Sequence, residues 1–491
     1  MDLRDFIILL EKRGELIRIK EEVSPILEVS EIADQLVKAN GPALLFENVK
    51  GYKLPILINL FGSLKRVALA MGVEDIKEIG DRIDKLTKFT AQEGILNALS
   101  SLISLASDLK GIMPKTVKSG KCKEEIHIED ASLDEFPILK CWPQDAGRFI
   151  TYPLVFTRDP DNNIMNCGVY RMQVYDSKTT GMHWHIHHHG AAHYRKYKAA
   201  GKKMDVAVAI GAAPSVLISA VAPLPDNVFE MILAGFLQRK SVEMVKCETV
   251  NLEVPADSEI VLEGYVLPNE ERLEGPFGDH TGFYSLEELY PVFHITCITH
   301  KRNPIYHTTI VGKPPAEDYF IGKAMERIFL PIIKRQHPEI IDVNMPMEGV
   351  FHNLMIVSIK KSYPGQARKT MNGIWSLGQA MFSKVIIVVD EWVNVHDLKE
   401  VAWVVLNYID PQRDMQFMLG PVETLEHATN LPYYGSKVGI DATKKIPGEG
   451  FTRKWPDPIE MDPAIRAKMK PIIDNILNMI KNAPTSEKNK P

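Results

Sequence analysis

From about Lys121 to Gly312 the chain runs through one strand-like segment after another: "YPLVFTRD", "NCGVYRMQVYD", "VAVAIGAAP", "EIVLEGYVL" and "PVFHITCITHKRNPIYHTTIVG". Each is rich in β-branched residues and bounded by Gly, Pro or Asn-Asn breaks, and one helical pattern near Asn227–Gln238 interrupts the series. Such a block predicts a largely antiparallel barrel or sandwich. The flanks read differently. Before it, an amphipathic helix closed by Gly14 is followed by "ELIRIKEEV", a helix near Val29–Ala39 and "PALLFENV". After it come a helix at Asp318–Ile333, "NLMIVSIKK", a long helix over Gly365–Phe382, "KVIIVVD", a helix over Val395–Leu406 and "DMQFM". Helices alternating with strands predict α/β layers on both sides of the strand-rich block. The tail "NAPTSEKNKP" is polar enough to read as disordered, and no internal repeat is present.

At 491 residues the chain is long enough for several cores, and 45% apolar with 25% charged residues is the composition of a globular protein. A net charge of −5 carries no nucleic-acid footprint. Five scattered cysteines with no CxxC argue for a reducing compartment and against thiolate metal sites. The N-terminal "MDLRDFIILLEKRGELIRIK" lacks the basic start and cleavage site of a signal peptide, and no run reaches the ~18 apolar residues of a membrane span. The chain reads as cytoplasmic.

Four stretches carry candidate chemistry. "GMHWHIHHHGAAHY" holds six of the fifteen histidines. In an extended segment His183, His185 and His187 share one face and His188 the other, so the cluster points to a nearby site better than to a zinc cage. In "NCGVYRMQV", Asn166 and Arg171 are costly to bury unpaired. Their odd spacing sends them to opposite faces of a regular strand unless a bulge at Gly168 re-aims one. "LEGPFGDHTGFY" brings Glu274 and Asp279 together around a tight turn, where mutual repulsion and burial would raise one pKa and make it a usable general acid. Against this stands a polar turn with Asp279 capping its own backbone. Glu230 lies in the first turn of an apolar helix that Asp226 or Asn227 would cap, either serving the helix dipole or ligating a metal. An Asn oxygen, a His nitrogen and a Glu oxygen suit Mn²⁺ or Mg²⁺ better than structural Zn²⁺. "YYGSKVGIDATKK" has the Gly-rich look of a loop, either closing over a ligand or merely exposed.

Together with "DLRDFIILLEKRGELIRI", "GPALLFENVKGY", "CWPQDAGRFIT", "VKCETVNLEVPADSEIVLEGY" and "GKPPAED", these motifs form an ordered set that resembles the UbiD family of decarboxylases over nearly the whole chain. The resemblance implies a mixed α/β and β multidomain fold. It comprises an N-terminal α/β domain (1–115), a central split β-barrel like that of flavin reductases (116–313), a C-terminal α/β domain (314–465), and a C-terminal helix with a disordered tail (466–491). It implies prenylated FMN, supplied by the flavin prenyltransferase UbiX and bound through its phosphate to Mn²⁺, with K⁺ nearby. Carried over motif by motif, the metal ligands fall on Asn166, His187 and Glu230, and the Glu–Arg–acid triad on Glu274, Arg171 and Asp279. Cofactor contacts fall on Val169, Tyr170 and Arg171, on His183, Trp184 and His185, on His188 and His189, and on Lys384. The family often has Arg or Lys directly after the ligand histidine, where this chain has His188, and a neutral imidazole holds a phosphate less well.

The implied reaction is non-oxidative decarboxylation of an aromatic acid, in the first instance 4-hydroxy-3-polyprenylbenzoate to 2-polyprenylphenol in ubiquinone synthesis. Losing CO₂ from an sp² carbon requires an electron sink that side chains do not supply, which is the cofactor's part. Arg171 would orient the substrate carboxylate, Asp279 would protonate the carbon, and Glu274 would tune the network. A homo-oligomer, from dimer to hexamer, and peripheral contact with the inner membrane for a polyprenyl substrate are further implications. Two alternatives stay open: a decarboxylase of another aromatic or α,β-unsaturated acid in a menaquinone or isoprenoid pathway, and an FMN-dependent redox or binding protein. Paired carboxylates on one turn argue against the latter. A zinc hydrolase fits worse, for want of a third ligand.

Overall fold

The computed structural model describes residues 1–89, 111–225 and 228–482. Its centre is a seven-stranded sheet in the order Thr179–Gly181, Glu288–His300, Ile260–Glu274, Met204–Ile210, Leu154–Arg158, Met165–Val169, with Glu125–His127 added to Glu288–His300. Every pairing in it is antiparallel, as the β-rich block predicts. The strands read as near-continuous apolar runs because both faces are covered. Leu154, Phe156, Ala207 and Ala209 enter one core, while Val155, Val206, Val208, Leu262 and Phe293 enter another.

The first of these cores also takes the helix Leu3–Lys12, through Leu3, Phe6, Ile7 and Leu10. Asp2 caps that helix by accepting from the Asp5 N–H at 2.9 Å, and Gly14 beyond it takes φ 69°. A four-stranded sheet follows, in the order Leu16–Ile19, Ala43–Phe46, Ile56–Ile58, Tyr306–His307. Its last member corrects the sequence reading. The segment "PVFHITCITHKRNPIYHTTIVG" is not one central strand. It breaks at Asn303, at φ 53°, and sends Tyr306–His307 back to pair in parallel with Ile56–Leu57 of the N-terminal region.

Beyond the helix Glu317–Gln336, a five-stranded sheet runs Ile340–Asn344, Leu354–Ile359, Val385–Asp390, Tyr434–Asp441, Met415–Pro421. Its inner three strands are parallel and the edges antiparallel. The Gly-rich segment expected as a loop is therefore the strand Tyr434–Asp441, paired on both sides and burying Lys437, whose Nζ donates to the Met381 carbonyl. The helix expected over Gly365–Phe382 stops at Trp375. Gly378 then takes φ 37° and a 3₁₀ turn spans Gly378–Phe382.

Met1–Thr443 forms one compact unit and Lys444–Pro491 a second. In the second, the helix Pro463–Asn482 exposes Ile465, Ile472, Ile473 and Ile476. The tail predicted to be disordered lies largely outside the described residues. No described helix is long and apolar enough to cross a membrane, and all five cysteines are free.

Candidate active site

The strand carrying Asn166 pairs with Leu154–Arg158 in unbroken register, Thr157 opposite Asn166 and Val155 opposite Gly168. No bulge forms at Gly168. The chain instead leaves the ladder at Tyr170 and Arg171 and resumes as Met172–Gln173 against Phe149–Ile150 in a separate two-stranded sheet. This switch of sheets, rather than an extra residue, aims Arg171 inward. Gly168 serves a different need: Tyr170 folds back over it, and a Cβ there would lie 2.2 Å from the phenolic oxygen.

Arg171 meets the two carboxylates named from sequence. Its Nε donates to Glu274 Oε1 at 3.0 Å and its Nη2 to Oε2 at 3.3 Å, while Nη1 donates to Asp279 Oδ2. Nη2 also reaches Ser285 Oγ at 3.3 Å, and the guanidinium lies over the Phe277 ring, 4.7 Å from its centroid. Glu274 ends the long strand Ile260–Glu274, and Gly275 turns the chain at φ 97°, where a Cβ would press within 2.9 Å of the Leu286 carbonyl. Asp279 sits in the tight loop that follows. Its N–H donates to the Phe283 carbonyl at 3.0 Å, and its own carbonyl accepts from Gly282 at 2.9 Å.

The expected repulsion between the carboxylates is absent, because cations stand between and beside them. Burial pushes Glu274 upward, but Arg171 and His183 outweigh it and hold the group at about 2. Burial likewise opposes ionisation of Asp279, yet Arg171 and His280 keep it well below the ordinary carboxylate range. Neither carboxyl is raised. His280 is the residue sequence reasoning passed over, although it adjoins Asp279 in the quoted motif. Its Nδ1 is 2.9 Å from Asp279 Oδ1 and its Nε2 2.9 Å from His352 Nε2. Despite burial, the bond to Asp279 and that carboxylate's charge lift His280 to about 9.

The histidine cluster divides by role. His183 Nδ1 binds Glu274 Oε2 at 2.7 Å, and its Nε2 is 2.5 Å from His185 Nε2. His185 stacks on His188 at 4.9 Å between centroids, and His188 lies 5.0 Å from the Tyr170 ring. Burial first, then neighbouring histidines, drives His188 down to about 3, so it is neutral at physiological pH. His193 is structural: its Nδ1 bonds Thr157 Oγ1 at 2.9 Å.

The three metal ligands expected from the family motif are not all brought together. Asn166 and Glu230 are both buried, with Glu230 at the first turn of the helix Glu230–Gln238, accepting from the Cys167 N–H at 2.7 Å. The expected cap at Asp226 or Asn227 lies outside the described residues. His187 is exposed, with its ring 5.3 Å from Phe382. The imidazole in the corner is that of His189, whose Nδ1 is 3.2 Å from Asn166 Oδ1 and 4.0 Å from Glu230 Oε1. Among the described residues no three His, Cys, Asp or Glu side chains stand close enough together to hold an ion. Lys384, at the head of the strand Val385–Asp390, is paired with Glu426 at 2.6 Å.

One further feature marks the region between Asn166 and His189. Among the described residues, buried Asn166 Nδ2, Trp184 Nε1 and His188 Nδ1 have no hydrogen-bond partner. Leaving buried polar groups unmade costs roughly 1–3 kcal/mol each, so three in one corner are what a polar ligand would relieve.

Comparison with known proteins decides the lineage. Residues 115–314 match the profile of the 3-octaprenyl-4-hydroxybenzoate carboxy-lyase Rift-related domain of UbiD. Residues 7–83 match the N-terminal and 319–442 the C-terminal domain of the same carboxy-lyase. The chain belongs to the UbiD family. An uncharacterized protein of Archaeoglobus fulgidus is 53% identical over 481 residues, 98% of this chain and 99% of that one. Among solved structures, the vanillic acid decarboxylase of Sedimentibacter hydroxybenzoicus in closed form is 30% identical with a TM-score of 0.85, covering 97% of this chain and 98% of that chain. Its open form scores 0.77. The UbiD-class enzyme HmfF of Pelotomaculum thermopropionicum, solved with FMN, is 30% identical with a TM-score of 0.77 over 92% of this chain and 97% of that one. The mixed α/β multidomain architecture is thus that of UbiD-class decarboxylases.

Proposed function

We propose that this UbiD-family protein is a prenylated-FMN-dependent decarboxylase of aromatic acids. The observation that carries the proposal is the buried Arg171, gripped by Glu274 and bonded to Asp279, beside a corner of unpartnered donors. HmfF, the similar enzyme, has been solved with FMN and with prenylated FMN. The residues here fit such a cofactor. Val169, Tyr170, His183, Trp184, His185 and His188 are the candidate cofactor contacts, the orphaned polar atoms of Asn166, Trp184 and His188 would find partners in it, and Asn166, Glu230 and an imidazole offer a hard N/O donor set for Mn²⁺. His187 carries the family motif, and His189 has the position. Lys384 is the candidate phosphate contact, with K⁺ as a second ion. When bound, the cofactor would supply the electron sink that decarboxylation at an sp² carbon requires.

The chain's own groups do the rest. Arg171 presents Nη1 to an incoming carboxylate, in place of Asp279. Glu274, fully buried and bonded to both Arg171 and His183, fixes the guanidinium plane. Asp279, released from Arg171, becomes the group that protonates the carbon left by CO₂. The substrate implied by the family's name is 4-hydroxy-3-polyprenylbenzoate. A second reading, a small hydroxybenzoate, is favoured by the TM-score of 0.85 to a vanillic acid decarboxylase. Co-production with a flavin prenyltransferase, followed by mass and visible spectrum of the bound flavin, tests the cofactor. Prenylated FMN at near-unit occupancy is expected, and a bound flavin that stays unmodified FMN would point to the redox alternative.

A further inference from the structure

The reaction itself sets a requirement that Asp279 alone does not meet. Turning an aromatic carboxylate into CO₂ and an arene consumes one proton per turnover, delivered to the carbon that loses CO₂. Held between Arg171 and His280, Asp279 is ionised and has no proton to give. The proton must therefore be stored next door.

On the functional reading above, we propose that His280 is the proton store of the site. It charges Asp279 when a substrate carboxylate displaces Asp279 from Arg171, and His352 holds its ring in place. The geometry is direct. His280 Nδ1 lies 2.9 Å from Asp279 Oδ1, the oxygen not engaged by Arg171. On the far side His352 Nε2, 2.9 Å away, accepts from His280 Nε2–H, which fixes His352 as a neutral ring. Burial first, then the positive charge of His280, lowers His352 to about 3, so it remains an acceptor across the working pH range. The groups acting on His280 come from several elements: Asp279 from its own loop, Asp318 from the start of the helix Glu317–Gln336, Glu423 from the segment after Met415–Pro421, His352, and His185 from the segment after Thr179–Gly181. Phe351 closes one face, with ring centroids 5.5 Å apart. Arg171 reaches the store only through Asp279, and Lys384 acts on His352.

Displacement is the trigger. Bound to Arg171, Asp279 is stabilised as the anion. With a substrate carboxylate on Nη1, it loses that cation and gains an anion as neighbour, and both changes raise its proton affinity. The Nδ1 proton of His280 then crosses to Asp279 Oδ1, leaving a neutral imidazole and a carboxylic acid. Asp279 passes that proton to the carbon as the C–C bond to CO₂ breaks, and returns to carboxylate. After the product leaves, solvent returns one proton to His280. One proton enters and one ends in the C–H bond of the product. His280 acts through Asp279 and is a positioning and supplying residue, not the group that touches the substrate.

The test has two arms. The first needs no substrate: histidine-selective ¹⁵N NMR of the full-length protein, with His280→Asn to assign the signal by difference. The proposal expects His280 as an imidazolium at pH 7.5, titrating at least one pH unit lower in Asp279→Asn. A neutral ring at pH 7 in the wild type overturns it. The second arm measures CO₂ release by the holoenzyme from 4-hydroxybenzoate, vanillate or 3,4-dihydroxybenzoate. His280→Asn should leave flavin content and KM within a few-fold. Its kcat should fall about tenfold per pH unit above neutrality, where wild type is flat to about 9, and added imidazole should restore part of it. A His280→Asn profile parallel to wild type overturns the store. A wild-type holoenzyme inert on all three acids counts against the functional reading instead, and the NMR arm still decides the state of the pair.

Discussion

Replacing Glu274 by Gln removes a charge while keeping shape, and the structure sets the size of the effect. Glu274 is fully buried, shares two hydrogen bonds with Arg171 and one with His183. Burial opposes its ionisation, yet its neighbours displace it from an ordinary 4.5 to about 2. At about 1.4 kcal/mol per pH unit this corresponds to about 3 kcal/mol. Because the folded-state pKa is depressed, that stability is present above about pH 4.5 and is lost as pH falls through about 2. A second route agrees: breaking a buried ion pair on one side costs ~3–5 kcal/mol, since the stranded cation stays buried. Urea unfolding followed by tryptophan emission suits the site, because Trp142 packs against Gly278 and Trp184 packs against Tyr170, the neighbour of Arg171. Glu274→Gln should be about 3 kcal/mol less stable at pH 7, and the gap should narrow as the pH is lowered below 4. A gap under about 1 kcal/mol at pH 7, or one independent of pH, would refute the view of Arg171 as a buried cation held chiefly by Glu274.

Three other outcomes are expected. Asp279→Asn should retain flavin and substrate binding while kcat falls by roughly 10² to 10⁴, the usual loss of a general acid, with solvent deuterium entering product at the same reduced rate. Glu230→Gln should lower Mn²⁺ and flavin content together, measured by metal analysis and absorbance; full occupancy of both would remove Glu230 from the ligand set. His187→Ala and His189→Ala should separate motif from position: the true ligand's variant loses metal and flavin, while His193→Ala, whose ring bonds Thr157 and faces Asp159, keeps both.

Much of the fold was legible because its signals are local. The central strands stand out as β-branched runs, and their near-continuous apolarity follows from a sheet covered on both faces. What was not legible depends on pairing at a distance. Nothing in "KRNPIYH" states that Tyr306 will find Ile56, and the glycines of "YYGSKVGID" suggest a loop until partners on both sides make it a strand. The triad was readable as residue types, since burying Arg171 demands carboxylates. Its electrostatics were only half readable: an arginine was expected to keep one carboxyl ionised while the other rose, but His183 beside Glu274 and His280 beside Asp279 help Arg171 hold both down. Periodicity sends Asn166 and Arg171 to opposite faces of a regular strand unless a bulge at Gly168 re-aims one, and a change of sheet at Tyr170 takes the place of that bulge. His352 carried no signal at all: it reaches His280 from 72 residues away.

The most direct test of the account is the release of ¹³CO₂ from carboxyl-labelled 4-hydroxybenzoate, vanillate and 3,4-dihydroxybenzoate. It compares the protein co-produced with a flavin prenyltransferase against the same protein made without it. Labelled CO₂ and an equal amount of decarboxylated product are expected from at least one acid with the co-produced protein, and none with the other. Release that is equal in both preparations, or absent from a preparation whose cofactor has the mass of prenylated FMN, would contradict it.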